Sequence, residues 1–136
     1  MQGMFSFTLE EREHQHEIKT PIMVVNAETN DYVKCDAIWD TGATSSMIAA
    51  SVASQLQLRP CGSTTIAGVH GVHDANCYIV NIKFNNGIVI RDIKVSEASN
   101  TGGFGLLVGM DIIGRGILYI NGLDDCLAVR FDIPVQ

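Results

Sequence analysis

The tightest constraint on the fold is Asn85-Asn86-Gly87, set between β-rich runs at 75–84 and 88–95. Asn-Gly between β-branched and aromatic residues specifies a tight hairpin, because both residue types accept the backbone conformations that a short connection demands. The same grammar recurs along the chain. Runs at 21–25 and 32–39 flank a polar turn, runs at 64–70 and 75–84 flank Gly71-Val72-His73-Asp74, and runs at 117–120 and 127–133 follow one another through Asn121-Gly122. Phe5, Phe7 and Leu9 alternate with Ser6 and Thr8, which gives a first strand. Short apolar-faced strands linked by tight turns must bury one face against each other. The expected fold is mainly β, a small closed or nearly closed antiparallel β-barrel with one or two short helices.

One turn departs from this routine. Ala37-Ile38-Trp39 leads into Asp40-Thr41-Gly42, and Ala43-Thr44-Ser45-Ser46 follows. A carboxylate at the end of an apolar strand, then a hydroxyl, then a residue without a side chain, is the composition of an active-site turn. Gly42 lets the backbone turn and another chain come close, and the Thr41 hydroxyl can lock the loop by hydrogen bonding. Residues 47–56 read as a helix, with Thr44, Ser45 and Ser46 as candidate N-caps and Pro60 preventing continuation.

The remaining composition narrows the function by exclusion. A chain of 136 residues suits a single domain over 1–136, with 1–19 as a peripheral N-terminal strand and polar segment. A net charge of −6 with scattered lysines and arginines speaks against nucleic acid. No basic leader or membrane-length apolar run is found, so a cytoplasmic location without membrane contact is expected. Cys35, Cys61, Cys77 and Cys126 show no Cys-x-x-Cys spacing and read as buried, small apolar residues. His14 and His16 share a strand-face spacing, but no acidic or sulfur partner stands at ligand spacing, which favours a solvated turn or exposed strand over a metal site.

A second element stands toward the end of the chain. Leu106-Leu107-Val108 reads as a strand stopped by Gly109, followed by a helical turn through Met110-Asp111-Ile112-Ile113. With Ala37–Thr44, the short helix and the glycine-bearing hairpin of the middle, this order resembles the retropepsin-like aspartic proteases, especially the bacterial ones, over about residues 20–134. The resemblance implies that the hydrophobic-hydrophobic-glycine loop at 107–109 packs behind the Asp40 turn, and that Asp111 lies just past that loop, where it is expected to cap the short helix. Trp39 is expected in the core or the groove wall.

The resemblance also implies peptide-bond hydrolysis without cofactor or metal, by two carboxylates that share a proton, one serving as base and the other as acid. The chain holds a single Asp-Thr-Gly, so the second carboxylate is expected from Asp40 of another copy in a homodimer. Asp40, Thr41 and Gly42 are then the catalytic residues. Ala43 and the hairpin residues Gly68, Val69, His70, Gly71 and Val72 bind an extended peptide or protein substrate beneath a lid. His70 and His73 near the lid tip are expected to be exposed. Two other readings stay open: a binding or assembly module on the same fold that cuts nothing, and a metal-binding protein using His14, His16, His70 and His73.

Overall fold

The computed structural model describes residues 2–9, 17–68, 71–99, 103–122 and 127–134. Among them the chain forms ten strands and two short helices: β1 (Gln2–Leu9), β2 (Ile18–Asn26), β3 (Tyr32–Trp39), β4 (Met47–Ala49), α1 (Ala50–Gln55), β5 (Gly62–Gly68), β6 (Gly71–Phe84), β7 (Val89–Ala98), β8 (Leu106–Val108), α2 (Met110–Ile113), β9 (Ile117–Gly122) and β10 (Leu127–Pro134). Six strands in the order β2-β3-β8-β4-β7-β6 close into a barrel when β6 returns to pair with β2. β5 pairs with the first half of β6, over Gly71–Cys77, ahead of the part of β6 that meets β2, and β1-β10-β9 make a separate three-stranded sheet. The mainly β barrel read from the sequence is therefore present, although β3–β8 and β4–β7 pair in parallel. Parallel neighbours need a long connection, and the chain between residues 40 and 105 provides it. In consequence β3 and β8 run side by side and release their following loops at the same end of the barrel.

Period-two alternation decides what faces inward. Ile22 and Val24 of β2, Ala37 and Trp39 of β3, and Val80, Ile82 and Phe84 of β6 are all buried. Trp39 lies in the core: its ring stacks on Phe84 at 6.1 Å and meets Phe131 edge-on at 5.2 Å. Its indole Nε1–H donates to the buried Thr20 Oγ1 at 2.9 Å. Phe131 of β10 thereby joins the three-stranded sheet to the barrel.

Three local expectations are corrected. Residues 47–56 were expected to be one helix, but Met47–Ala49 forms β4, which pairs with both β7 and β8. Ladder bonds on two sides override the helical preference of these residues. Helix α1 starts only at Ala50, with Ala49 at the N-cap and no side-chain cap bond, so Thr44, Ser45 and Ser46 cap nothing there. Its end is tied by Gln57 N–H to Ser54 C=O at 3.0 Å and Leu58 N–H to Ala53 C=O at 3.1 Å, with Gln57 in a left-handed conformation at φ +50°. The lid hairpin, expected to turn through 71–74, instead pairs as far as Gly68 with Gly71. The ladder therefore runs past the expected turn residues, and Gly71 at φ +104° takes a backbone conformation that a residue with a Cβ resists. At the other end of the chain, Asn121 and Gly122 continue β9 instead of turning. Val69, His70, His14, His16 and Cys126 lie outside the described residues, as do the side chains of His73 and of 2–9.

The cysteines differ among themselves. Cys77 is buried, Cys35 is half-buried and Cys61 is exposed, all three as free thiols. Cys61 departs from the expected burial because it precedes β5, where its backbone N–H reaches Cys77 C=O at 2.7 Å while its side chain stays outside. Burial, with a smaller contribution from Asp36, pushes the Cys35 thiol up to about 11. The neutral thiol supports the fold fully below about pH 9, and that support is lost as the pH rises through about 11. At pH 8 iodoacetamide is expected to label Cys61 promptly and Cys35 and Cys77 slowly, as read by peptide mass spectrometry; equal labelling of all three would contradict this burial pattern.

Candidate active site

Strand β3 ends in the buried Trp39, and the next residue emerges at the barrel's end. Asp40 N–H donates to Val108 C=O at 2.9 Å, which fixes the turn to β8. The turn then closes on itself: Ala43 N–H donates to Asp40 C=O at 3.2 Å, and Gly42 N–H to Asp40 Oδ1 at 2.8 Å. A Cβ on Gly42 would stand 3.2 Å from that same oxygen, so glycine here leaves the carboxylate its place. Asp40 is half-buried, whereas Thr41 and Gly42 are exposed. Among the described residues no cation pairs with Asp40.

A second loop supports the first from behind. Gly109 follows β8 and fits so closely that a Cβ would come 2.9 Å from Ala43 C=O oxygen and 2.9 and 3.0 Å from the Ser45 carbonyl group. Its φ of −97° is open to any residue, so the glycine is required by space alone. Met110 N–H donates to Ala43 C=O at 2.8 Å and Asp111 N–H to Thr44 C=O at 3.2 Å. Ser46 completes the junction. Its fully buried hydroxyl accepts from Gly109 N–H at 3.0 Å and donates to Asp111 Oδ1 at 2.7 Å, while its own N–H donates to Asp111 Oδ2 at 3.0 Å.

Asp111 therefore does more than the helix cap expected of it. Gly109 occupies the N-cap of α2 with no side-chain cap bond, and Asp111 reaches across to clamp the far loop. Charge-assisted bonds to a buried partner are the strong kind. Asp111→Ala is expected to destabilise the protein by about 2 kcal/mol, from the Ser46 donors left unsatisfied. Chemical denaturation checks this; a loss below a few tenths would show the clamp to be idle.

The two loops and the strands that carry them fall within residues 25–115, which match the family model described as "gag-polyprotein putative aspartyl protease". The chain belongs to that aspartyl protease family. Solved structures agree on the fold. A retropepsin-like aspartic protease from Rickettsia conorii is 15% identical, with a TM-score of 0.62 over 99% of this chain and 97% of that one. The EIAV protease complexed with the inhibitor HBY-793 is 22% identical, with a TM-score of 0.58 over 74% of this chain and 88% of that one. No curated protein matches significantly.

On this retropepsin-like frame the structure shows a feature that the sequence reading missed. Ile38 of β3, Leu107 of β8 and Met47 of β4 are register partners across three adjacent strands. Each is half-buried, while their strand neighbours Ala37, Leu106 and Ile48 are fully buried. They form an apolar row on the outward face, and alternation puts Asp40, two residues after Ile38, on that same side. The signal was available as the alternation of β3 and β8, but not the pairing that unites them. Of the expected lid residues, Gly71 and Val72 are exposed at the far end of β6 and Gly68 pairs with Gly71. Ala43 is drawn into the junction through its carbonyl, which accepts from Met110 N–H.

Proposed function

We propose that this chain is a homodimeric aspartic endopeptidase whose active site forms from Asp40 of two copies. The observation that carries this reading is the Asp40 turn itself: a single carboxylate, tied to its own loop and to no cation among the described residues, beside an exposed Thr41 and Gly42. Two such carboxylates brought together cannot both ionise readily, so the pair retains one proton near neutrality.

The ionised member takes a proton from a water molecule whose oxygen attacks the scissile carbonyl carbon. The protonated member gives its proton to the carbonyl oxygen, and a gem-diol results. Collapse of that intermediate breaks the C–N bond as a proton passes to the departing nitrogen. Thr41 braces the two turns across the axis, Gly42 offers its backbone to the substrate, and Ala43 keeps the adjacent space small. An extended peptide lies between the turns and the lid residues Gly68–Val72 as an added strand. The row Ile38–Leu107–Met47 receives apolar side chains of the substrate.

The test is cleavage of an unstructured protein by the purified chain over a dilution series. Cleavage per chain is expected to fall as dilution drives the dimer apart. No cleavage at concentrations where sedimentation shows the dimer, or undiminished cleavage by a monomer, would overturn this reading.

A further inference from the structure

We infer that Trp39 is a positioning residue for Asp40, and that the buried Thr20 hydroxyl holds it in that role. The inference rests on the aspartic endopeptidase reading above and adds two residues on which the reaction depends.

Asp40 stands just past the end of its strand. Trp39 is the last residue of β3 to pair on either side, opposite Ile18 of β2 and Val108 of β8. Beyond it the chain has left both ladders, so the direction of its exit is set at Trp39. On the β8 side the turn is anchored by Asp40 N–H, which donates to Val108 C=O at 2.9 Å, and by the Gly109 loop behind it. On the inward side the anchor is the Trp39 ring.

That ring is held from three directions. It stacks on Phe84 at 6.1 Å with 28° between the planes, and it meets Phe131 edge-on at 5.2 Å and 62°. Its Nε1–H donates to Thr20 Oγ1 at 2.9 Å. Ring contacts permit some sliding, whereas a short hydrogen bond is directional and permits little. Register explains how the indole reaches its acceptor. Thr20 pairs with Ala37, two residues before Trp39 on the same inward face, so the contact is a diagonal one that the small Ala37 side chain leaves open.

The core does not need this pair for its stability. Thr20 is fully buried, and valine has its shape without the cost of desolvating a hydroxyl. Trp39, 5% exposed, buries an N–H that phenylalanine would not bring. Replacing both members of such a pair by apolar groups of like shape is often neutral, and only the loss of one member alone leaves a polar group stranded. The other buried polar residues described all bond to backbone N–H groups: Asn26 accepts from Glu28 at 2.9 Å, Asn81 from Asp92 at 2.9 Å and Ser46 from Gly109 at 3.0 Å. Thr20 accepts instead from the side chain that precedes the carboxylate. Such a bond is useful where geometry limits a rate. Two carboxylates must meet around one water and one proton, and a fraction of an ångström changes how they meet. Apolar contacts with the substrate tolerate the same shift.

Steady-state cleavage of a peptide, per dimer counted by sedimentation, tests the assignment with Thr20→Val, Thr20→Ser and the control Ile93→Val. Thr20→Val removes the acceptor and keeps the shape; kcat is expected to fall about 10-fold while KM stays within about twofold. Thr20→Ser returns the hydroxyl and is expected to recover most of the wild-type kcat. Ile93 is buried in β7, a strand that carries neither loop of the site, so Ile93→Val is expected to lower Tm and leave kcat unchanged. Thr20→Val with the wild-type kcat, or with a loss confined to KM, overturns the assignment and leaves the protease reading standing. So does Thr20→Ser as slow as Thr20→Val, or Ile93→Val that loses as much kcat. A wild-type chain that cleaves nothing overturns both. Should Thr20→Val fail to fold, Trp39→Phe, which removes the donor and leaves no indole N–H unpaired, takes its place with the same expected division between kcat and KM.

Discussion

Asp40→Asn is expected to reduce proteolysis by about 10³-fold while leaving the dimer intact. Asparagine has the shape of aspartate, and its side-chain oxygen can still accept from Gly42 N–H, the 2.8 Å bond that holds the wild-type carboxylate. What it lacks is the ability to take a proton from water. A mixture distinguishes a shared site from two independent ones. With equal amounts of wild-type and variant chains assorting freely, about one quarter of dimers carry both aspartates, so activity is expected near a quarter of that of the same total of wild-type chain. Chains that each work alone would retain about half under the same conditions. A value near half would remove the second Asp40 from the mechanism, and a fully active Asp40→Asn protein would remove the first.

The parts of this site that were legible in the sequence are those whose chemistry is local. Asp40-Thr41-Gly42 announces a carboxylate in a turn wherever it stands, and Leu107-Val108-Gly109 announces a strand halted by a residue without a Cβ. The hairpin at Asn86-Gly87 is equally local: Gly87 sits at φ +87° and Asn86 Oδ1 accepts from Ile88 N–H at 3.2 Å. What escaped was decided by pairing across the chain. Met47–Ala49 has a composition that suits a helix, and only its neighbours β7 and β8 make it a strand. Ser46 and Asp111 each looked like a helix cap because short polar residues before a helical run usually are. Their mutual bond spans 65 residues of sequence and has no local signature. The same limit hid the row formed by Ile38, Leu107 and Met47, since alternation tells which face a residue takes but not which strand lies beside it.

Gly109→Ala tests the junction that those distant pairings build. The added methyl group would meet Ala43 oxygen at 2.9 Å and the Ser45 carbonyl group at 2.9 and 3.0 Å. All three contacts are with backbone, which cannot rotate aside as a side chain would. Because Gly109 N–H bonds to Ser46 Oγ at 3.0 Å and Met110 N–H to Ala43 C=O at 2.8 Å, shifting either loop strains bonds on both. The expected loss is about 3 kcal/mol, a fall in Tm of about 10 °C. Activity is expected to fall further than stability alone explains, at temperatures where the variant remains folded. The displaced loop carries the Asp40 turn, and a carboxylate moved by even part of an ångström no longer meets its counterpart in reacting geometry. Gly42→Ala makes the informative comparison: its methyl group would touch only the Asp40 carboxylate, at 3.2 Å, so it should depress activity with a smaller change in Tm. If Gly109→Ala melts and cleaves like the wild type, the loop behind Asp40 is not what positions it.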